Sequence, residues 1–382
     1  MHGQTVLILG GGIGGVVAAN RLRRRLGRHD RVVLVDRAPT FALAASFLWV
    51  MTGDRRPQQI ARPLSRLERK GIEVVRGEVE RIDPERREAV VDGRTWTADH
   101  LIVALGAEFA PEAVPGLAAA GLTFCTLDGA ERLRDALDRM RAGRILVLTA
   151  APAYKCPAAP YEAAMLIDGM LRRRGLRSTV DIALYSAEPG PMGVAGPAAS
   201  AAVREMVEQK DIAYHPEHLI ARAEPGRVHF TDGASADFDL LVYVPPIRPP
   251  HVLATSALVD DSGWVRVDRH TMETRFPGVY AIGDVTLIPL AMGKPLPRAG
   301  VFAHAQAEVV ARNIVRTLEG KTPSERFDGH GACFIETGSG RAGFGAGNFY
   351  AEPRPTIRMR TPGWLWHAGK VLFEKQVMWQ WL

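Results

Sequence analysis

The strongest constraint in this chain is the stretch from Val6 to Gly15, where an apolar run breaks into Gly10-Gly11-Gly12-Ile13-Gly14-Gly15. Gly10, Gly12 and Gly15 satisfy the spacing G-x-G-x-x-G, with a strand from Val6 to Leu9 before it and a helical pattern through Leu26 behind it. Glycine is needed there for a tight turn, for close approach of backbone to a pyrophosphate, and for packing the helix on the strand. A second strand, Val32 to Val35, ends in Asp36, the acid that such a unit sets against a ribose hydroxyl. The unit predicts a parallel sheet flanked by helices, with a dinucleotide at a helix N-terminus.

The same strand-turn-helix pattern recurs from Arg144 to Glu162, but without glycine. Ile145 to Leu148 reads as a buried parallel strand, and Pro157 or Pro160 opens a helix carrying Met165, Leu166 and Met170. The turn holds Lys155-Cys156-Pro157 where a phosphate cradle is expected. A thiol beside a cation, at the positive end of a helix, is set up for thiolate chemistry. The expectation is a nucleotide site replaced by a redox-active cysteine.

Between and around these units, further strands and helices are read from periodicity. Residues 72 to 105 form short strands, with Asp92-Gly93 as a hairpin turn, closing on Leu101 to Ala107 and a glycine turn at Gly106. Strands at Val180 to Tyr185 and Leu240 to Val244 complete the second unit with helices near Ala130 to Arg141 and Pro197 to Gln209. The chain returns through Pro245 to Pro250, and Gly278 to Asp284 delivers Gly283 and Asp284 to a turn ahead of a helix from Gly300 to Leu318. The apolar segment 41 to 53 reads as core or site wall.

Residues 331 to 382 differ in character: Cys333, a glycine-rich hairpin, a basic strand from Arg354 to Arg360, and a terminal helix with Trp364, Trp366, Trp379 and Trp381. His367, Lys370 and Glu374 share one stripe of that helix. A polar stripe on an otherwise apolar helix suits a segment that closes a site or lies in a membrane interface; packing on the core or a dimer partner is the alternative.

Composition narrows the function classes. With 382 residues, 47% of them hydrophobic and 24% charged, the chain is globular and long enough for two or three domains. A net charge of +6 is compatible with an anionic lipid surface or an acidic partner, and no basic run interleaved with aromatics points to nucleic acid. Three cysteines do not make a secreted disulfide framework, and no Cys/His pair has zinc-ligand spacing. The first apolar run is used by a strand and a glycine turn, so no signal peptide is expected. No run of about 20 apolar residues predicts a transmembrane helix.

Taken together, the fingerprint with Asp36, the Ala281-Ile282-Gly283-Asp284 turn and the altered second unit resemble the flavoprotein superfamily with two dinucleotide domains. Within it the chain most resembles the sulfide:quinone oxidoreductases. Cys125 in Phe-Cys-Thr-Leu-Asp, Cys156 in Cys-Pro-Ala-Ala-Pro-Tyr-Glu and Cys333 in Ala-Cys-Phe-Ile-Glu-Thr-Gly match that family's three cysteines, and His367 to Lys375 resembles its quinone-proximal helix. The resemblance implies an α/β fold of two Rossmann-like domains plus a membrane-proximal C-terminal segment. The FAD domain would be residues 1–110 with 245–330, the second unit 111–244 with its nucleotide site degenerate, and the quinone and membrane segment 331–382.

It further implies that FAD is held through Gly10, Gly12, Gly15, Asp36, Gly106, Gly283, Asp284, Arg298 and Lys370. Cys156 and Cys333 would form the redox pair, Cys125 would assist sulfur capture or release, and Phe334 and Phe373 would lie near the quinone. Cys333 is assigned to the flavin and Cys156 to the growing sulfur chain, with the reverse assignment left open. Glu162 either moves protons from hydrosulfide or complements the helix dipole.

The chain departs from the family at Gly129 and near Val194, where some members carry histidines, and at Arg298, where many carry lysine. Sulfide, a membrane quinone and the surface of a prokaryotic-type inner membrane are the implied partners, and a homo-oligomer is compatible with the sequence. The alternatives are a sulfide dehydrogenase flavin subunit serving cytochrome c, and a flavin-bound redox sensor without turnover. NADH:quinone reduction is disfavoured, because the second turn lacks its glycines.

Overall fold

A computed structural model describes residues 3–382. Leu7, Ile8 and Leu9 in the first strand, Thr5–Leu9, are buried on both faces, as a central parallel strand requires. It pairs in parallel with Arg31–Asp36 on one side and His100–Val103 on the other. Glu73–Arg76 and Val279–Ala281 close the two edges, giving a five-stranded parallel sheet. The last strand comes from beyond residue 245, so this sheet is assembled from two separated segments of chain.

The fingerprint helix, Ile13–Arg23, and the returning helix, Gly300–Leu318, pack together on one face of this sheet. Their apolar sides, including Val16, Ala19, Ala307 and Val310, share one core with Ile8 and Leu34. The opposite face is covered by the antiparallel hairpin Glu88–Val91 and Arg94–Thr97, whose Asp92 and Gly93 both take positive φ, 45° and 75°. That is the turn Asp-Gly favours.

A second, four-stranded parallel sheet runs Ala213–His215, Val180–Ser186, Gly143–Thr149, Leu240–Val244. The chain crosses between the sheets twice. The crossings, Glu108–Phe109 and Ile247–Arg248, pair with each other in antiparallel register.

The cysteine helix, Ala159–Arg173, is buried over every residue from Ala159 to Leu171. It has neighbours all round: the second sheet, the short helix Phe47–Met51, and the tail strand His330–Gly338. Gly169 meets Gly338 backbone to backbone, a Cβ built on Gly169 lying 3.2 Å from the Gly338 Cα. Its two buried carboxylates are partnered from different sides, Asp168 by Arg172, Arg177 and Lys210, and Glu162 by Lys370 of the tail.

The tail is a three-stranded antiparallel sheet, His330–Gly338, Arg341–Asn348 and Thr356–Gly363, followed by the tail helix Trp364–Gln380. This helix lies inside out for a surface helix. Its polar stripe, Lys370 and Glu374, is buried, whereas Trp364, Leu365, Leu372 and Trp379 are exposed, Trp379 by 81%. The stripe thus faces the interior of the protein and the apolar side chains face out.

Candidate active site

At the first turn, Gly10 has φ +108° and a Cβ built there would lie 2.3 Å from the Ala104 carbonyl oxygen. At Gly15 a Cβ would lie 1.8 Å from the Gly10 oxygen. These two glycines are demanded by the fold itself. Gly12 differs, because a Cβ there meets nothing within 4 Å. The open space lies before the N-terminus of the fingerprint helix, which no side chain caps, so its first amides face outward. Asp36 accepts from Gly11 N at 2.5 Å and from Ala38 N at 2.7 Å, which fixes the carboxylate at the rim.

Around the far end of this cradle the chain gathers the other expected cofactor residues. Gly283 donates its N–H to Gln306 at 2.7 Å, and Arg298 Nε donates to the Asp284 carbonyl at 2.9 Å. Arg298 lies over the Trp264 ring at 3.7 Å, and its Nη2 is buried with no hydrogen-bond partner among the described residues. An unpartnered buried guanidinium nitrogen calls for an acceptor from a bound group. The returning helix also starts uncapped at Gly300, beside Arg298.

The second turn is built differently. Tyr154 is buried, and its hydroxyl donates to Glu188 Oε2 at 2.6 Å. Glu188 follows the second strand of this sheet, the place where a dinucleotide unit keeps its ribose-binding acid. Here a tyrosine of the same chain takes that acid. Cys156 has φ +55°, unusual for a residue with a Cβ, and its N–H is fixed by the Arg298 carbonyl at 2.8 Å. Pro160 is the proline that falls within the first helical turn.

Cys156 and Cys333 line one cavity of about 340 Å³, with Arg298, Tyr154, Glu188 and Met359 also in its wall. All three cysteines are free thiols in this structure, so no Cys156–Cys333 bond is formed. Burial raises the Cys156 thiol pKa well above its ordinary value, and Cys333 and Glu162 push it the same way. Burial and then Glu162 push Cys333 up to about 12. Lys370 opposes the rise at both.

The cation that acts on the pair is thus Lys370, and the expectation for Lys155 is corrected. The Lys155 ammonium turns away, donating to the Ala107 carbonyl at 2.8 Å and lying 3.5 Å from Asp284 near Gly106. Cys125 is outside the cavity wall. It lies toward Lys155 and Tyr243, with burial raising its thiol to about 11. At Gly129 a Cβ would lie 2.3 Å from the Thr123 oxygen, so a histidine has no room there.

Strand alternation divides the tail strand between two compartments. Cys333 and Ile335 face the cavity, whereas Phe334 and Glu336 face the tail helix. There Lys370 Nζ donates to Glu162 Oε1 at 2.9 Å, and the Glu336 N–H donates to the same oxygen at 2.9 Å. His367 Nδ1 lies 3.1 and 3.0 Å from the two Glu336 oxygens. Lys370 and Arg55 both face the Trp49 ring, at 4.9 and 4.6 Å, and Arg55 pairs with Glu374 at 2.9 Å. Glu162 is therefore a paired internal carboxylate, and Lys370 is its counter-ion. Phe334 packs on Gly369 and Phe344, while Phe373 is 38% exposed on the outer face.

A family model described as pyridine nucleotide-disulphide oxidoreductase matches residues 4–307. The chain belongs to that family. Its fold is that of the family's α/β proteins with two dinucleotide-binding units, here with the added tail. Mouse mitochondrial sulfide:quinone oxidoreductase is 24% identical over 373 residues, covering 92% of this chain and 80% of the relative. The sulfide-quinone reductase of Aquifex aeolicus is 26% identical over 395 residues, covering 98% and 90%. The X-ray structure of the sulfide:quinone oxidoreductase from Aquifex aeolicus superposes with a TM-score of 0.89 at 24% identity, over 99% of this chain and 91% of that one. The match to the family model stops at residue 307, so the tail that carries Cys333 and Lys370 lies beyond it.

Glu336, Trp49, Tyr154 and Glu188 were not identified from sequence. Glu336 had a readable signal, since it stands three residues after Cys333 on a strand and so must face away from the thiol. Trp49 and Glu188 had none, because their partners are Lys370 and Tyr154, far from them in sequence.

Proposed function

We propose that this protein is a sulfide:quinone oxidoreductase: it uses FAD to oxidise sulfide to polysulfide or sulfur and passes the electron pair to a quinone. The observation that carries the reading is the meeting of Cys156 and Cys333, from distant parts of the chain, at one cavity. Whole-length similarity to two sulfide:quinone reductases supports it. FAD fits the first turn, where Gly12 leaves open space, the helix amides are uncapped and Arg298 has an unused donor. Gly10, Gly12, Gly15, Asp36, Gly106, Gly283, Asp284 and Arg298 would hold it, within a domain of residues 1–110 and 245–330. Residues 111–244 form the second unit, which Tyr154 closes to nucleotide. The flavin, when bound, supplies a two-electron acceptor.

The chain's own part is sulfur and proton handling. With the pair oxidised to a disulfide, hydrosulfide attacks Cys156; the S–S bond breaks, an S–S bond to the incoming sulfur forms, and Cys333 leaves as thiolate. The persulfide proton passes to Glu162, which stands close enough to raise both thiols. Lys370 stabilises negative charge on either sulfur and on Glu162. Cys125, outside the cavity, serves sulfur entry or release. Quinone meets the tail near Phe334 and Phe373, and the outward Trp364, Leu365, Leu372 and Trp379 seat the protein on a membrane surface as a peripheral protein of a prokaryotic-type inner membrane. No described helix is long and apolar enough to cross a membrane.

The deciding experiment mixes purified flavoprotein anaerobically with sulfide, follows bleaching of the visible flavin band, and then adds a soluble quinone. Bleaching by sulfide and recovery with quinone are expected. A flavin that stays oxidised with sulfide but bleaches with NADH would falsify the reading. Flotation with liposomes, with and without residues 361–382, tests the membrane surface; equal flotation of both forms would remove the tail from that role.

A further inference from the structure

The buried polar group beneath the tail helix holds more than the sulfide chemistry uses. Glu162 and Glu336 are 3% and 1% exposed and share one buried ammonium, Lys370. Two carboxylates against one ammonium leave one negative charge in a desolvated place, which one further proton cancels. The group able to bring that proton is His367. Its Nδ1 is held by both Glu336 oxygens, and its ring lies against Trp49 at 5.8 Å between centroids. His367 is the half-exposed member of the set, with 31% of its side chain open to solvent. It follows Trp366, which stacks on Phe344 at 4.5 Å, and Phe344 packs on Phe334 at 5.2 Å.

We propose that the Glu336–His367 pair is the proton port of the acceptor side: His367 takes a proton from solvent and delivers it to the quinone as the electron pair arrives. The proposal rests on the sulfide:quinone reading and extends it. Hydrosulfide oxidised to the sulfane level yields one proton and two electrons, whereas a quinone reduced to quinol takes up two electrons and two protons. Glu162 holds the first proton, and the second must come from outside. Glu336 is the positioning residue: it orients the imidazole with Nδ1 inward, leaving Nε2 for exchange. The charged groups facing the pair are Lys370 from the same helix and Glu162 from the cysteine helix, with Arg55 and Glu374 paired one turn further on. Burial raises the Glu336 pKa, Glu162 adds to the rise, and Lys370 and His367 oppose it.

The test separates the two half-reactions. Dithionite-reduced holoprotein is mixed anaerobically with a soluble quinone from about pH 6 to about pH 9, and His367→Gln is expected to slow flavin reoxidation about tenfold or more. Bleaching by sulfide in the same variant should stay within about twofold of the native protein. Free imidazole should restore reoxidation in His367→Ala. Reoxidation within about twofold of native at every pH, or equal slowing of both halves, overturns the proposal. In flavin-free protein, the Nδ1 proton of His367 should give a downfield NMR resonance that Glu336→Gln abolishes; its persistence overturns the pairing. If sulfide fails to bleach the native flavin, the sulfide reading falls, while the dithionite experiment still decides the role of His367.

Discussion

The two strand-turn-helix units show how one backbone plan is turned to two chemistries. At the first turn, two glycines are consumed by close backbone contacts and the third opens onto free space. At the second, Tyr154 and Cys156 bring side chains to the corresponding place, and Tyr154 occupies the acid Glu188. A phosphate is held by backbone amides and needs emptiness beside them. A thiol needs the reverse, a packed wall and one nearby charge of the right sign. Losing the glycines is thus an exchange of ligand for side chain, with no loss of the surrounding sheet.

The most direct way to break this comparison is at the thiols. Cys156→Ala and Cys333→Ala should each lower the rate of sulfide-dependent flavin bleaching by about 10³-fold or more, with FAD content unchanged. A variant retaining full sulfide-dependent quinone reduction would remove the second turn from the chemistry. Next come the glycines of the first turn. Gly10→Ala should cost about 2–4 kcal/mol in denaturant unfolding, because the residue has φ +108° and its Cβ would strike a carbonyl. Gly12→Val should change the unfolding of flavin-free protein by less than about 1 kcal/mol yet weaken FAD binding about tenfold or more. Equal effects of the two substitutions would erase the distinction between a structural and a ligand-facing glycine.

Glu162→Gln sharpens the electrostatic half of the contrast. The carboxylate raises both thiol pKa values, so its removal moves them down and lets thiolate appear at lower pH. Alkylation by iodoacetamide near pH 8 should speed up about tenfold, one pKa unit, and a slower reaction would reverse the assigned sign. The smallest effect is expected at Tyr154→Phe, which leaves Glu188 without its donor and should cost about 1 kcal/mol. Its flavin should still not bleach with NADH, and bleaching would mean that the hydroxyl alone kept nucleotide out.

Much of this was legible in the chain. The helix from Gly300 to Leu318 was read closely, and the strands Thr5–Leu9, Arg31–Asp36, Gly143–Thr149, Val180–Ser186 and Leu240–Val244 to within one or two residues, because buried parallel strands and amphipathic helices declare themselves by period; the short edge strand Ala213–His215 was not read. The cysteine turn declared itself by the glycines it lacks. What period cannot tell is which way a polar stripe faces. His367, Lys370 and Glu374 made a stripe in sequence, but its inward direction is set by Glu336, Glu162, Arg55 and Ser46, which arrive from four other places. The Lys155 expectation failed for the same reason, since adjacency in sequence says little about where a flexible ammonium finds its best acceptors.

The tail helix is at once an internal wall and an external skin. Whatever touches Trp364, Leu372 or Trp379 from outside grips the same rod that holds Lys370 against Glu162. Peeling it away would take the shared ammonium from two internal carboxylates, Glu162 and Glu336. A displacement of the rod therefore also moves the one ammonium that opposes the rise of both thiols.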